Sequence, residues 1–135
     1  MIVVDTNIIA YLYLQTTYTA LAEKTLQIDS EWVAPVLWRS EFRNVLALYV
    51  RRKTLALNHA LAMQQEAEDL LAHHEYEVSS MKVLSLVAES NCSAYDCEYV
   101  AIAQQLCATL VTEDKGILKN FPETAMSIKA FVSQA

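Results

Sequence analysis

Residues 2–12, IVVDTNIIAYL, open with three β-branched residues, break at Asp5, and resume with apolar side chains at Ile8, Ile9 and Leu12, the spacing of one helix face. A strand over Ile2–Val4 therefore passes into a helix from about Asn7 to Tyr13, with a carboxylate at the junction. Because this strand is apolar throughout, it is expected to be covered on both faces. The remainder of the chain repeats the pattern. Further strands are predicted at Trp32–Ala34, stopped by Pro35, and at Tyr76–Val78, Thr109–Thr112 and Ala125–Ser127. Helices are predicted from Thr19 to Gln27, from Pro35 to about Arg52, from an Asn58 cap to Ala72, and from Ser80 to Glu89. Three more follow: one from a Ser93 cap to Cys107, one from Asp114 to Lys119, and a terminal helical tail. Strands alternating with helices imply an α/β fold of three layers, α/β/α, around a central parallel sheet. Ligands of such sheets lie beyond the carboxyl ends of the strands, where the winding reverses.

The 135 residues fit a single domain, 1–135, and the one glycine and two prolines leave no linker, repeat or Gly-rich phosphate loop. Hydrophobic residues make up 54% of the chain, yet runs such as Ile8–Leu14 and Val45–Val50 fall short of the roughly 20 residues of a membrane span. The apolar surplus is assigned instead to a homodimer interface, with no membrane partner. Met1 leads straight into a strand without a leader pattern, so a cytoplasmic protein is expected. Cys92, Cys97 and Cys107 lack metal-ligand spacing and are read as reduced core residues. His59, His73 and His74 are given no functional role. A net charge of −6 argues against a protein that grips nucleic acid by bulk electrostatics. Carboxylates that share divalent cations would account for part of that total.

Asp5 and Asp114, the latter in LVTEDKGIL, stand at the ends of predicted strands, where either a helix N-cap or a ligand role is open to them. Glu41, in PVLWRSEFRNVLALYV, follows Leu37 by four residues and precedes Val45 by four, so it falls on the apolar stripe of its helix. Asp96 repeats this in SAYDCEYVAIAQQL, with Tyr99, Val100 and Ala103 on the same side, whereas Glu98 points to a more polar face. Carboxylates on core-facing stripes need a partner, because desolvating the charge costs several kcal/mol. Two partners are open: a salt bridge from Arg39 or Arg43 to Glu41, or a cation shared by the acids. Oxygen ligands without His or Cys select Mg²⁺ or Mn²⁺.

These elements, VVDTNIIAYL, Glu41 in the third helix, SAYDCEYVAIAQQL and LVTEDKGIL, occur in the order of the PIN-domain family and span nearly the whole chain. The sequence resembles that family, and within it the VapC-like ribonuclease toxins of prokaryotic toxin–antitoxin pairs. The resemblance implies a PIN-like sheet in the order 3-2-1-4-5, which sets the first and fourth strands side by side. It implies a metal-dependent endoribonuclease in which Asp5, Glu41, Asp96 and Asp114 hold one or two Mg²⁺ or Mn²⁺ ions, with RNA as substrate and a cognate antitoxin as partner. Thr6, Asn7 and Thr112 match the small polar positions that orient such ligands, or else serve as helix caps. Glu113 competes with Asp114 for the fourth acid, and the T-x-D form favours Asp114. Arg39, Arg43, Lys115 and Lys119 are the candidate RNA contacts. Two other readings stand beside this one: a catalytically silent PIN-like binding scaffold, and a PIN nuclease of RNA processing that is not a toxin.

Overall fold

The computed structural model describes residues 1–135, with five strands, β1 (Ile2–Val4), β2 (Trp32–Pro35), β3 (Glu75–Tyr76), β4 (Leu110–Val111) and β5 (Ala125–Met126). Between and after them run α1 (Thr6–Tyr13), α2 (Thr19–Ile28), α3 (Trp38–Arg51), α4 (Leu57–Leu70), α5 (Ser80–Ala88), α6 (Ala94–Leu106), α7 (Lys115–Asn120) and α8 (Ile128–Gln134). The sheet order is β3-β2-β1-β4-β5, and every pairing is parallel. This is the three-layer α/β/α arrangement with strand order 3-2-1-4-5. β1 sits at its centre, flanked by β2 and β4, and its three residues are at most 3% exposed. Helix α6 lies across β1, β2 and β4 and packs against α5, while α1 packs on α2 and α3. Trp32, Trp38, Phe42 and Tyr99 are the largest side chains of the core. No helix is long and apolar enough to cross a membrane.

Pro35 closes β2 from inside the strand. The N–H groups of Ala34 and Val36 both donate toward β3, to His74 O and Tyr76 O, so the proline, with no N–H, falls on the opposite side, where β1 has ended. Three sequence expectations shift. The third strand is Glu75–Tyr76 rather than Tyr76–Val78, because β2 offers partners only as far as Pro35. Helix α4 begins earlier than expected, at Leu57, with Ala56 at its cap position and no side-chain cap, so Asn58 lies within the first turn. Cys107 is exposed rather than core, since it ends α6 in the left-handed conformation at φ 51°; Cys92 and Cys97 are buried.

Candidate active site

β1 and β4 are parallel neighbours, so their carboxyl ends open at the same edge of the sheet. The Asp5 N–H donates to Val111 O at 3.1 Å, which draws the residue after β1 against the residue after β4. Thr112 Oγ1 consequently donates to Asp5 Oδ2 at 2.6 Å, and the Thr6 N–H donates to Asp5 Oδ1 at 2.8 Å. Asp5 is the N-cap of α1 and Asp114 that of α7, where its Oδ1 accepts the Ile117 N–H at 2.9 Å. Glu41 lies in the first turn of α3 and Asp96 in the first turn of α6. All four acids thus stand at helix N-termini, whose unsatisfied N–H groups and dipole favour negative charge. Both roles open to Asp5 and Asp114 in the sequence are compatible: each carboxylate caps its helix and still has free lone pairs.

The four acids lie within one another's field. Asp5 is 7% exposed, and burial pushes its carboxyl up to about 7, against which the Thr112 and Thr6 hydrogen bonds act, while the Glu41 and Asp96 charges push further up. The Asp96 carboxyl is also raised, by burial first and then by Asp114 and Glu41. Glu98, expected on a polar face, is half-buried; burial and the Glu41 charge raise its carboxyl as well. None of Asp5, Glu41, Asp96 or Asp114 forms an ion pair with Lys or Arg. The salt bridge left open for Glu41 is absent. Arg39 turns instead to Glu75, with Nε at 2.6 Å, and to Glu68 at 3.0 Å, at the β3 edge of the sheet. Its candidacy as an RNA contact meets this competition, because its fork is already filled by two carboxylates. Arg43 lines a separate groove with Leu46, Val50, Leu57 and Leu61 between α3 and α4. Lys115 and Lys119 are exposed on α7, beside Asp114, and form no ion pair. Glu113, the rival fourth acid, is occupied elsewhere: its Oε2 accepts the Ile128 N–H of α8 at 2.9 Å.

Glu41 is held by hydroxyls. Its Oε1 receives Thr6 Oγ1 at 2.9 Å and Tyr99 OH at 2.6 Å, and the two hydroxyls lie 2.6 Å from each other. Tyr99 is 1% exposed, and burial beside Asp5 and Glu41 pushes its phenol far up, so it is a neutral donor. Sequence reasoning counted Tyr99 only as apolar stripe; its placement one turn after Asp96 was the signal that it shares the acid's face. On the solvent side, Glu41 opens onto a cleft of about 340 Å³ lined also by Leu37, Ser40, Asn44 and Tyr95. Tyr95 is 62% exposed despite its size.

The residues present fit a hard divalent cation. Their donors are carboxylate oxygens, their mutual repulsion has no cationic counterweight in the protein, and the Oδ1 of Asn7, beside Thr6, is buried with no partner. As the side chains stand, no group of three or more Asp, Glu, His or Cys is close enough together to hold an ion.

Comparison with known proteins follows the same lines. The PIN domain family profile matches residues 2–123. Ribonuclease VapC3 of Pyrobaculum aerophilum is 28% identical over 124 residues, covering 90% of this chain and 95% of that protein. Among solved structures, PAE2754 of the same organism superposes with a TM-score of 0.78 at 19% identity, over 98% of this chain and 93% of that one. A toxin–antitoxin complex from Klebsiella pneumoniae gives 0.70 at 16% identity, over 95% and 98%.

Proposed function

From the premise that the chain belongs to the PIN-domain family, we propose that it is a metal-dependent endoribonuclease and the toxin of a type II toxin–antitoxin pair. The observation that carries the reading is the convergence of Asp5, Glu41, Asp96 and Asp114 at the β1–β4 edge, with Asp5 buried and no basic side chain to neutralise the group. In this reading Asp5, Glu41, Asp96 and Asp114 hold one or two Mg²⁺ or Mn²⁺ ions, which when bound lower the pKa of a water and stabilise charge on a phosphate in in-line displacement. The chain's own residues do the rest. Thr112 and the Thr6 N–H fix Asp5, Asp114 is fixed by its cap bond to Ile117, and Thr6 and Tyr99 fix Glu41.

Single-stranded RNA is the substrate class that suits the cleft beside Glu41. Tyr95 offers an exposed ring on which a base stacks, and the Ser40 and Asn44 side chains, hydrogen-bonded to nothing in the protein, offer donors and acceptors to its edge. Lys115 and Lys119 would meet the phosphates. The antitoxin is given the apolar groove of about 390 Å³ between α3 and α4, whose rim carries Arg43 and Arg51 and no acid. Exposed Met81 and Leu84 on α5 are assigned to a homodimer contact, in a cytoplasmic protein.

The test is cleavage of single-stranded and structured RNAs by wild type and Asp96→Asn with Mg²⁺, Mn²⁺ or chelator. Cleavage by the wild type with metal alone supports the reading. Equal cleavage by Asp96→Asn, or none by either, overturns it. Growth arrest on expression, relieved by a co-expressed antitoxin, tests the toxin role; unimpaired growth removes that role.

A further inference from the structure

We infer that Tyr99 and Thr6 form a clamp that makes Glu41 a one-oxygen ligand, tying up Oε1 and presenting Oε2 to the cation site. The inference rests on the metal-nuclease reading and adds to it a positioning residue, Tyr99. The geometry carries it. Two hydroxyl protons serve three short contacts among Thr6 Oγ1, Tyr99 OH and Glu41 Oε1, at 2.9, 2.6 and 2.6 Å. The hydroxyls cannot donate to each other simultaneously, so in every allowed arrangement at least one proton reaches Oε1. Oε2 receives no donor from the protein. The carboxylate is therefore polarised, one oxygen satisfied by the protein and the other left for an ion or its waters.

A core role alone does not account for the phenol. Tyr99 is 1% exposed, and a phenylalanine would fill the same space without placing a hydroxyl in the interior. The hydroxyl's only partners are Glu41 and Thr6. Glutamate is a long, rotamer-rich side chain, and an unheld Glu41 would lose that freedom on binding an ion; the clamp removes the loss beforehand. The elements explain how it is built. Tyr99 and Asp96 sit one turn apart on α6, Thr6 follows Asp5 directly, and Glu41 opens α3. The two hydroxyls thus join Glu41 to the residue after Asp5 and to the residue one turn past Asp96, so the placement of α3 against α1 and α6 sets where Glu41 stands.

The test titrates Mn²⁺ into the 135-residue chain, reading free Mn²⁺ by electron paramagnetic resonance, for wild type, Tyr99→Phe, Glu41→Ala and the double variant. Loss of a group that orients a metal ligand lowers affinity about 10–100-fold. Tyr99→Phe is expected to show that loss, and to show no further loss once Glu41 is already alanine, because a positioning residue acts only through its ligand. Wild-type affinity in Tyr99→Phe overturns the clamp, as does the same fold-loss in the Glu41→Ala background, which would mark a general structural effect. A wild type that binds no Mn²⁺ overturns the metal-nuclease reading and the clamp together. Should Tyr99→Phe fail to melt cooperatively in EDTA, Thr6→Val strips the other donor from Oε1 and keeps the ring. A several-fold loss confined to chains with Glu41 intact supports the clamp, and unchanged affinity overturns it.

Discussion

Replacing Asp5 by Asn should stabilise the metal-free protein at alkaline pH. Asp5 is 7% exposed and its carboxyl is raised from 3.8 to about 7. A raised carboxylate pKa means that the folded chain holds a proton that the unfolded chain has released, so stability falls as pH climbs from the unfolded to the folded value. At about 1.4 kcal/mol per pKa unit the full loss is on the order of 4 kcal/mol, complete above pH 7 and about 1 kcal/mol at pH 4.5. The substituted carboxamide has the same shape as the carboxylate and carries no charge in either state. Its oxygen keeps the Thr6 N–H, and its NH₂ donates to Thr112 Oγ1, which has a lone pair left after accepting the Asp114 N–H at 3.0 Å.

Urea unfolding in EDTA measures the difference. At pH 8 the Asp5→Asn midpoint should exceed that of wild type by about 1.3–4 M, given slopes of roughly 1–3 kcal/mol/M, and the gap should shrink to about a quarter of that by pH 4.5. Mn²⁺ should then narrow the gap, by about 2.7 kcal/mol at a hundredfold over its dissociation constant and by about 4 kcal/mol at a thousandfold, because only the wild type keeps the Asp5 carboxylate. Comparison with the variant isolates Asp5 from Asp96 and Glu98, whose carboxyls are also raised. Equal midpoints at pH 8 in EDTA would mean that the fold already neutralises Asp5, and the case for a shared cation would fail with it.

For the other ligands, Mn²⁺ at a hundredfold over its dissociation constant should stabilise the wild type by about 2.7 kcal/mol, roughly 10 °C in Tm, and Asp96→Asn or Asp114→Asn should lose most of that gain in a melting scan with and without EDTA. Tyr95→Ala should weaken single-stranded RNA binding about 5- to 100-fold, measured by fluorescence anisotropy with a hydrolysis-resistant phosphorothioate RNA in saturating Mn²⁺, while Tyr95→Phe keeps the ring and should bind as before. Gly116→Ala brings a methyl to 3.1 Å from Asp114 Oδ1, so that oxygen must give by a few tenths of an ångström. Alanine also suits the exposed α7 helix better, so the metal-free Tm should hold or rise while Mn²⁺ affinity falls several-fold; unchanged affinity would show that Asp114 Oδ1 is not held where the ion needs it.

How far the fold was legible follows from what each signal depends on. Ile2–Val4 and Trp32–Pro35 are buried on both faces, and such strands announce themselves as short apolar runs. Glu75–Tyr76 does not: it is half-buried at the sheet edge, and its position is set by how far β2 offers partners, a tertiary matter. Ser93 and Asp114 cap their helices through side-chain bonds that the sequence displays, whereas α4 starts at Leu57 without any side-chain cap, so Asn58 attracted the wrong boundary. The carboxylates were readable because periodicity places an acid on a stripe. Their hydroxyl partners were less so. Thr6 and Thr112 stand next to the acids in sequence, but Tyr99 meets Glu41 across 58 positions, and an apolar stripe that contains a tyrosine looks the same whether the phenol reaches a carboxylate or a wall of leucines. Glu98 shows the converse error, since its helix position predicted a more polar face, and it is half-buried beside a cleft that it lines with Val83 and Leu84 of α5.

The acidity that argues against a bulk-electrostatic grip on nucleic acid is concentrated where it has a use. Of the 16 Asp and Glu residues behind the net −6, four are Asp5, Glu41, Asp96 and Asp114, each placed at the N-terminus of a helix. A helix end contributes a partial positive charge of about half a unit, which makes the cluster tolerable without neutralising it. Burial first, and then the Glu41 and Asp96 charges, still push the Asp5 carboxyl up to about 7. Metal-free, the crevice therefore repels a phosphate. In the proposed nuclease one or two divalent cations would make the same crevice its attractive centre, and Lys115 and Lys119 of α7, which follow Asp114 in the chain, form no ion pair with an acid. Substrate and metal are then coupled: RNA affinity should depend on the ion more steeply than on the protein's total charge. A basic patch would hold RNA whether or not an ion were present, so in the proposed nuclease an acidic site would confine binding to the state in which catalysis is also possible.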